Sequence, residues 1–143
     1  MKKKGYIYLA ILILILLTAV YVQKNKQPKE PGKTIIKGKF IEGFPEFPVL
    51  PEAKIVKSYE KVSQGKVGYE AELKTSQTPR QALLWYRNAL EKRGWTVNDE
   101  YLEEVEEGDY YLMAQKDNLK VGIFAESEED KKLTEVTIEF PLQ

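Results

Sequence analysis

The sequence predicts an α+β fold in which one helix packs on a mostly antiparallel sheet, in the order β-β-α-β-β-β-β, preceded by an N-terminal transmembrane helix. Three observations predict this fold class. An uncharged apolar run occupies residues 6–22, segments of alternating polarity recur between residues 53 and 140, and one amphipathic segment with a clear start and stop interrupts them.

The net charge of zero hides two oppositely charged parts of the chain. Residues 1–39 contain nine Lys and one acid, a net charge of +8, so residues 40–143, with 13 basic and 21 acidic side chains, carry −8. Such asymmetry is typical of a chain that meets two environments. The predicted parts are a basic head (1–5), a transmembrane anchor (6–22), a Lys/Pro-rich linker (23–39) and an acidic α+β domain (40–143).

The apolar run is long enough to be a membrane anchor. At ~1.5 Å per residue, residues 6–22 reach about 25 Å, at the short end of what a bilayer core of about 30 Å requires. Tyrosines at both ends suit the lipid interfaces, and lysines lie just outside them. The residues expected to hold the anchor in the membrane are Lys2, Lys3, Lys4, Tyr6, Tyr8, Tyr21, Lys24 and Lys26.

The lysine-rich head predicts the orientation of the anchor. Its charges adjoin the apolar run and favour a cytoplasmic N-terminus, whereas a long following domain crosses the membrane largely regardless of its own charge. We therefore expect a single-pass protein of the cell membrane with its C-terminal domain outside the cytoplasm.

Two alternatives to a retained anchor start from the same segment. A cleaved secretory signal also has basic residues before an apolar run, but it needs small residues at −3 and −1, and cutting after Ala19 would put Leu17 at −3. The start Lys-Lys-Lys-Gly resembles the leader of type IV prepilins, which is cut after the glycine. In that family the fifth mature residue is usually Glu, whereas here it is Ala10, and Pro28 and Pro31 would interrupt the long stem helix.

The linker is expected to be an extended, solvated tether, because Ile35 and Ile36 are its only large apolar residues. Its six lysines also suit contact with anionic lipid headgroups, worth about 1 kcal/mol each near the surface. No aromatic residues alternate with these lysines, and the acidic domain would repel phosphate, so we expect no nucleic-acid partner.

The acidic domain opens with a strap, residues 40–53, whose prolines disfavour a central strand. Two alternating runs, residues 53–60 and 66–73, then predict a hairpin with Gly65 in its turn. Thr78 followed by Pro79 predicts the start of a helix.

Gly94 predicts the end of this helix. A 100° step per residue gathers most of its apolar side chains on one face and leaves Leu84 outside that face, available to the strap or to a partner. After Gly94, short turns separate four further runs, which predict neighbouring antiparallel strands. The runs are WTVNDEYLEEV, DYYLMAQK, LKVGIFAE and LTEVTIEFP.

One family resemblance is carried by Pro48-x-x-Pro51-x-Ala53, then Trp85-Tyr86-x-x-x-Leu90-x-x-x-Gly94-Trp95, then the β meander. This pattern resembles small uncharacterised α+β domains that follow a signal or membrane anchor in bacterial and archaeal surface proteins. The resemblance covers about residues 45 to 140. It rests on structural residues, so it implies a fold and a setting but no activity.

The composition removes most enzyme chemistries. The chain has no Cys and no His, which excludes disulfides, thiol catalysis, zinc fingers and imidazole bases. No serine lies in a G-x-S-x-G setting, no phosphate-binding glycine loop is present, and no calcium-loop pattern occurs. The acidic clusters at 103–109 and 126–130 lie on predicted turns or strand ends. We therefore predict no catalytic residues, no cofactor, no metal site and no enzyme activity.

These observations favour a membrane-anchored, extracytoplasmic interaction or accessory module with membrane lipid and a protein as partners. Aromatic residues beyond the needs of a small sheet either fill the core or anchor an interface. The candidate partner-binding residues are Leu84, Trp95, Tyr101, Tyr110 and Tyr111. Two alternatives stay open: a carboxylate-based hydrolase or carbohydrate-binding domain, and a pilin-like surface subunit.

Overall fold

The computed structural model describes residues 33–98, 104–106, 109–130 and 132–143, all within the compact unit Pro31–Gln143. These residues form eight strands and one helix. In chain order the elements are β1 (Lys33–Lys37), β2 (Lys54–Ser63), β3 (Lys66–Thr75), α1 (Pro79–Glu91), β4 (Thr96–Asn98), β5 (Glu104–Glu106), β6 (Asp109–Lys116), β7 (Leu119–Ser127) and β8 (Thr134–Phe140).

All strands join one antiparallel sheet in the order β1-β2-β3-β8-β7-β6-β4, with β5 also paired to β6. The hairpin β2–β3 and the meander β6–β7–β8 are local pairings. The non-local pairing is β3 with β8, which runs from Tyr69 opposite Phe140 to Thr75 opposite Thr134. This central pair therefore joins the N-terminal strands to the C-terminal meander.

The predicted fold class is wrong. The sequence predicts six strands and a preceding transmembrane helix, whereas the described residues form a mostly-sheet domain of eight strands with one short helix. Lys33–Lys37 pairs as an edge strand inside the expected linker, because its β-branched Thr34, Ile35 and Ile36 suit a pleated edge. The run after Gly94 forms two short strands, β4 and β5, instead of one.

Within the described ranges, no helix is long and apolar enough to cross a membrane. The predicted anchor, residues 6–22, and the flanking residues expected to hold it lie outside the described part of the chain.

Local signals define both ends of α1. Gln81 donates its backbone N–H to Thr78 Oγ1 at 3.3 Å, and Thr78 donates its N–H to Gln81 Oε1 at 3.0 Å, which completes a capping box before Pro79. At the other end, Gly94 adopts a φ of +79°, and the Trp95 N–H donates to Leu90 O at 3.1 Å. The helix thus stops where a residue without a Cβ reverses the chain.

The inner face of the sheet, defined here as the face toward α1, carries the core. Alternate residues of β3, β6, β7 and β8 are buried there, and α1 contacts β4, β6, β7 and β8. The strap covers this face too: Phe47 packs its ring against Tyr86, Trp95 and Phe140 at centroid distances of 5.8, 6.1 and 5.5 Å. One side of the sheet is therefore closed by the helix and the strap together.

Buried polar bonds hold the strap in place. The Leu50 N–H donates to the hydroxyl of Tyr86 at 3.4 Å. Ser58, fully buried on β2, accepts from the Ile41 N–H at 2.7 Å and donates to Lys39 O at 2.9 Å. Because proline removes backbone donors from the strap, these side-chain bonds satisfy groups that no strand ladder reaches.

Candidate interaction surface

The outer face of the sheet is the face opposite α1. Because side chains alternate along a strand, the residues between the buried ones on β3, β6, β7 and β8 lie on it, and the strand register adds Lys57, Tyr59 and Lys61 of β2. In the described part of the chain, no helix covers this face, and both α1 and the strap lie on the inner one. The outer face is therefore the broad surface that this domain presents.

One half of the outer face is ionic. Lys57 pairs with Glu72 across β2 and β3 at 2.9 Å, and the hydroxyl of Tyr59 donates to the same carboxylate at 2.8 Å. Lys61 lies between Glu70, to which it is hydrogen-bonded, and Glu139 on β8, at 3.9 Å. Exposed pairs of this kind contribute about 0–1 kcal/mol each, so their main effect is to balance charge on a solvated surface.

The acidic residues of this half are distributed over the sheet. Burial, then the neighbouring carboxylates Glu72 and Glu126, raises the pKa of Glu135, while Lys74 opposes the shift. Lys74 itself is paired with Glu128. Among the described residues, no group of three or more acidic side chains is arranged to hold a metal ion.

The other half of the outer face carries an aromatic patch, defined as Tyr111, Met113, Gly122 and Phe124. Tyr111 lies opposite Phe124, and Met113 opposite Gly122, in the β6–β7 register. The Tyr111 and Phe124 rings lie 4.2 Å apart between centroids and are inclined by 32°. Phe124 remains 45% exposed. Exposed aromatic side chains that pack against a second ring are common anchor residues in protein interfaces.

Gly122 shapes this patch. A Cβ at Gly122 would lie 3.2 Å from Tyr111 Oη and 3.3 Å from Tyr111 Cε2, so a larger residue would push the ring outward. The missing side chain lets the Tyr111 ring lie over Gly122 on β7, beside Phe124. The position of the Tyr111 ring thus depends on a glycine in the middle of a strand.

A shallow groove adjoins the patch. Its volume is about 310 Å³, and it reaches the patch through Met113. The other lining residues are Thr96, Asn98, Ala114, Gln115 and Lys120. The patch and groove together present an apolar centre with a polar border, the arrangement typical of protein interfaces.

A second groove, of about 440 Å³, lies at the C-terminal end of α1. Its apolar side is formed by the strap and Trp95, and its charged side includes Arg93 and Lys116. Both cations already bind carbonyls at the end of the helix: Arg93 donates to Ala89 O at 3.0 Å, and Lys116 donates to Arg93 O at 2.8 Å. Their positions are explained by the helix end.

The structure separates the residues proposed from sequence as partner-binding. Leu84 is half-buried on α1, and Tyr110 is half-buried against the core. Trp95 is only 7% exposed and packs on Phe47 and Phe140, so its ring serves the core. Tyr111 alone among them lies in the aromatic patch, and Tyr101 lies outside the described residues.

Sequence reasoning missed the other three members of the patch. The signal for Phe124 was present, because Val121, Ile123 and Ala125 occupy the buried phase of β7 and leave Phe124 out of phase. For Gly122 and Met113 no local signal exists, since their role depends on which residue of the neighbouring strand lies opposite.

Comparison with known proteins gives one match. A family model described as START domain-like matches residues 55–131, which extends from β2 through α1 to the turn before β8. No curated protein and no solved structure matches the chain. The match supports a small domain of the kind that the sequence resemblance implied, but not the surface-protein setting. Because the matched residues make up more than half of the chain, the protein belongs to the START domain-like family.

Proposed function

We propose that this domain is a non-catalytic, protein-binding module and that the aromatic patch contacts its partner. One observation carries the proposal: Phe124 is 45% exposed and packs against the ring of Tyr111, on a sheet face that no described helix covers. Burying the exposed part of this side chain alone is worth about 2 kcal/mol. A surface centred on it can therefore supply an interface hot spot.

The form of the patch favours a protein over a carbohydrate as ligand. Sugar rings stack on an open aromatic face, but Tyr111 and Phe124 lie 4.2 Å apart and cover part of each other. The adjoining groove adds amide, hydroxyl and ammonium groups around a methionine, which suits the mixed chemistry of a protein surface.

The ionic half supports a role without catalysis. A hydrolytic carboxylate pair needs two acids about 5–10 Å apart around a substrate cleft. Here Glu70 and Glu72 are each paired with a lysine on an open sheet face. This arrangement favours a binding module over the carboxylate-based hydrolase.

Residues 6–22 are proposed to hold the module at the cell membrane, with the domain outside the cytoplasm. The support is the apolar run and its lysine-rich head. Protease added to intact cells or spheroplasts is expected to remove the domain, detected with an antibody to it, while a cytoplasmic marker protein survives. Resistance of the domain until lysis would instead place it inside the cell.

Photo-crosslinking tests the patch directly. A photoreactive phenylalanine analogue is placed at position 124 of the full chain in its native membrane and, as a matched control, at position 142, because Leu142 is 42% exposed outside the patch. We expect a discrete adduct from position 124 and none of that mass from position 142. Identical adduct patterns from the two positions would rule out the patch as the partner site.

A further inference from the structure

We infer that the free edge of β1 binds an extended acidic segment of a partner protein as an added strand. This site lies at the opposite end of the sheet from the aromatic patch, so it goes beyond the function proposed above. The segment recognised has two acids four residues apart with an apolar residue midway between them.

The backbone N–H and C=O groups of β1 point alternately toward β2 and away from it. Gly38 donates its N–H to Val56 O at 3.0 Å, and these residues continue the β1–β2 register. Backbone groups of an antiparallel strand point alternately to either side. Thr34 and Ile36 therefore bond to β2, whereas the N–H and C=O groups of Lys33, Ile35 and Lys37 point away from it.

This side of β1 has no partner strand within the described ranges, since β1 ends the strand order. An edge with open donors and acceptors is a template for a further strand. Ile35, in the middle of the edge, is 52% exposed and offers an apolar contact to an incoming side chain.

The edge strand β1 carries positive charge at two positions that match lysines of β2. In the register Lys33 lies opposite Lys61, and Lys37 opposite Lys57. The carboxylates nearest to Lys57 and Lys61 are already paired with them, namely Glu72, Glu70 and Glu139. Lys37 is exposed and forms no ion pair with any carboxylate of the described residues. The edge thus repeats the lysine spacing of β2, and its Lys37 has no counter-ion among the described residues.

A second copy of this chain and an acidic partner would place opposite charges against β1. Antiparallel pairing of two β1 strands around Ile35 would set Lys33 of each copy opposite Lys37 of the other, and like charges in opposite positions destabilise a strand pair. An incoming strand with acids at these two positions makes the same Lys–Glu pairing that β2 and β3 make at Lys57 and Glu72. The edge therefore favours an acidic strand.

A peptide titration tests this inference on the full chain in detergent micelles. The probe is the labelled peptide TETVTET, with TKTVTKT as its charge-reversed counterpart. Lys37→Glu is expected to weaken TETVTET binding at least fivefold and to remove the preference for TETVTET over TKTVTKT, because Lys33 still lies opposite one charge of either peptide. Lys66→Glu makes the same charge change at an exposed site on β3 and is expected to stay within twofold of wild type. Phe124→Ser, which disrupts the patch, is also expected to leave peptide binding unchanged.

Amide chemical shifts give an independent readout that does not depend on a variant folding. TETVTET is expected to move the amide signals of Lys33, Ile35 and Lys37 more than those of Thr34 and Ile36. Equal weakening by Lys37→Glu and Lys66→Glu would overturn the inference, as would loss of binding in Phe124→Ser. Shifts at β1 produced by dihexanoyl phosphatidylglycerol but not by TETVTET would show that the edge binds lipid headgroups instead, and would also overturn it.

Discussion

Replacing Phe47 by Ala is expected to lower the free energy of unfolding by about 3–5 kcal/mol. Phe47 is 8% exposed and contacts the rings of Tyr86, Trp95 and Phe140, so truncation leaves a cavity where the strap, the helix and the sheet meet. Urea denaturation of the full chain, followed by tryptophan fluorescence, measures the change.

Val49 is the matched control for this substitution. It lies in the same strap but is 39% exposed, so Val49→Ala is expected to change the free energy of unfolding by less than about 1 kcal/mol. If the two variants were equally stable, the strap would not be part of the core. Retention of the β-sheet signal in circular dichroism would confirm that Phe47→Ala still folds before urea is added.

Raising the pH from 10 to 12 is expected to remove about 2 kcal/mol of stability through Tyr86 alone. Burial raises the pKa of the Tyr86 hydroxyl from 10.0 to about 12, while its bond with the Leu50 N–H acts in the opposite direction. The folded state therefore holds this proton more tightly than the unfolded state. The stabilisation is complete below pH 10 and is lost as the pH rises through the folded pKa.

Urea midpoints measured at pH 8, 10, 11 and 12 check this prediction. Tyr86→Phe has no proton to lose, so its stability should fall by about 2 kcal/mol less than that of wild type between pH 10 and 12. Val49→Ala serves as control, because it changes an exposed side chain and no titratable group, and it should follow the pH dependence of wild type. Parallel curves for wild type and Tyr86→Phe would contradict the assignment of a buried hydroxyl at this position.

Local patterns in the sequence predict the positions of five of the strands and of the helix. The alternation of Val136, Ile138 and Phe140 is visible in sequence, and these three residues are buried on β8. Thr78 and Gly94 lie where α1 starts and stops. Such signals depend on residues close in the chain, so one sequence is enough to recognise them.

The remaining features depend on partners distant in the chain. Lys33–Lys37 is predicted to be part of the linker because the segment is short and basic, and only its pairing with β2 makes it a strand. The split of the run after Gly94 into β4 and β5 depends on where each piece meets β6. These two differences are why the predicted element order has six strands where the described residues form eight.

The candidate surface shows the same limit. Trp95 and Phe124 are both large aromatic residues, yet one is 7% and the other effectively half exposed. Trp95 follows Gly94 at the end of α1 and packs inward on Phe47, whereas the alternation of side chains along β7 places Phe124 on the outer face. An exposed aromatic side chain is therefore identified by its position between the buried residues of its strand, more than by its residue type.

The most direct test of the proposed binding role is the affinity of the full chain for the protein that crosslinks at position 124. Phe124→Ser is expected to weaken the Kd at least tenfold, because hot-spot truncations cost about 2 kcal/mol or more. Leu142→Ser, which removes a side chain of similar exposure outside the patch, is expected to stay within twofold of wild type. Equal affinities for the wild type and both variants would contradict the proposal that the aromatic patch is the binding surface.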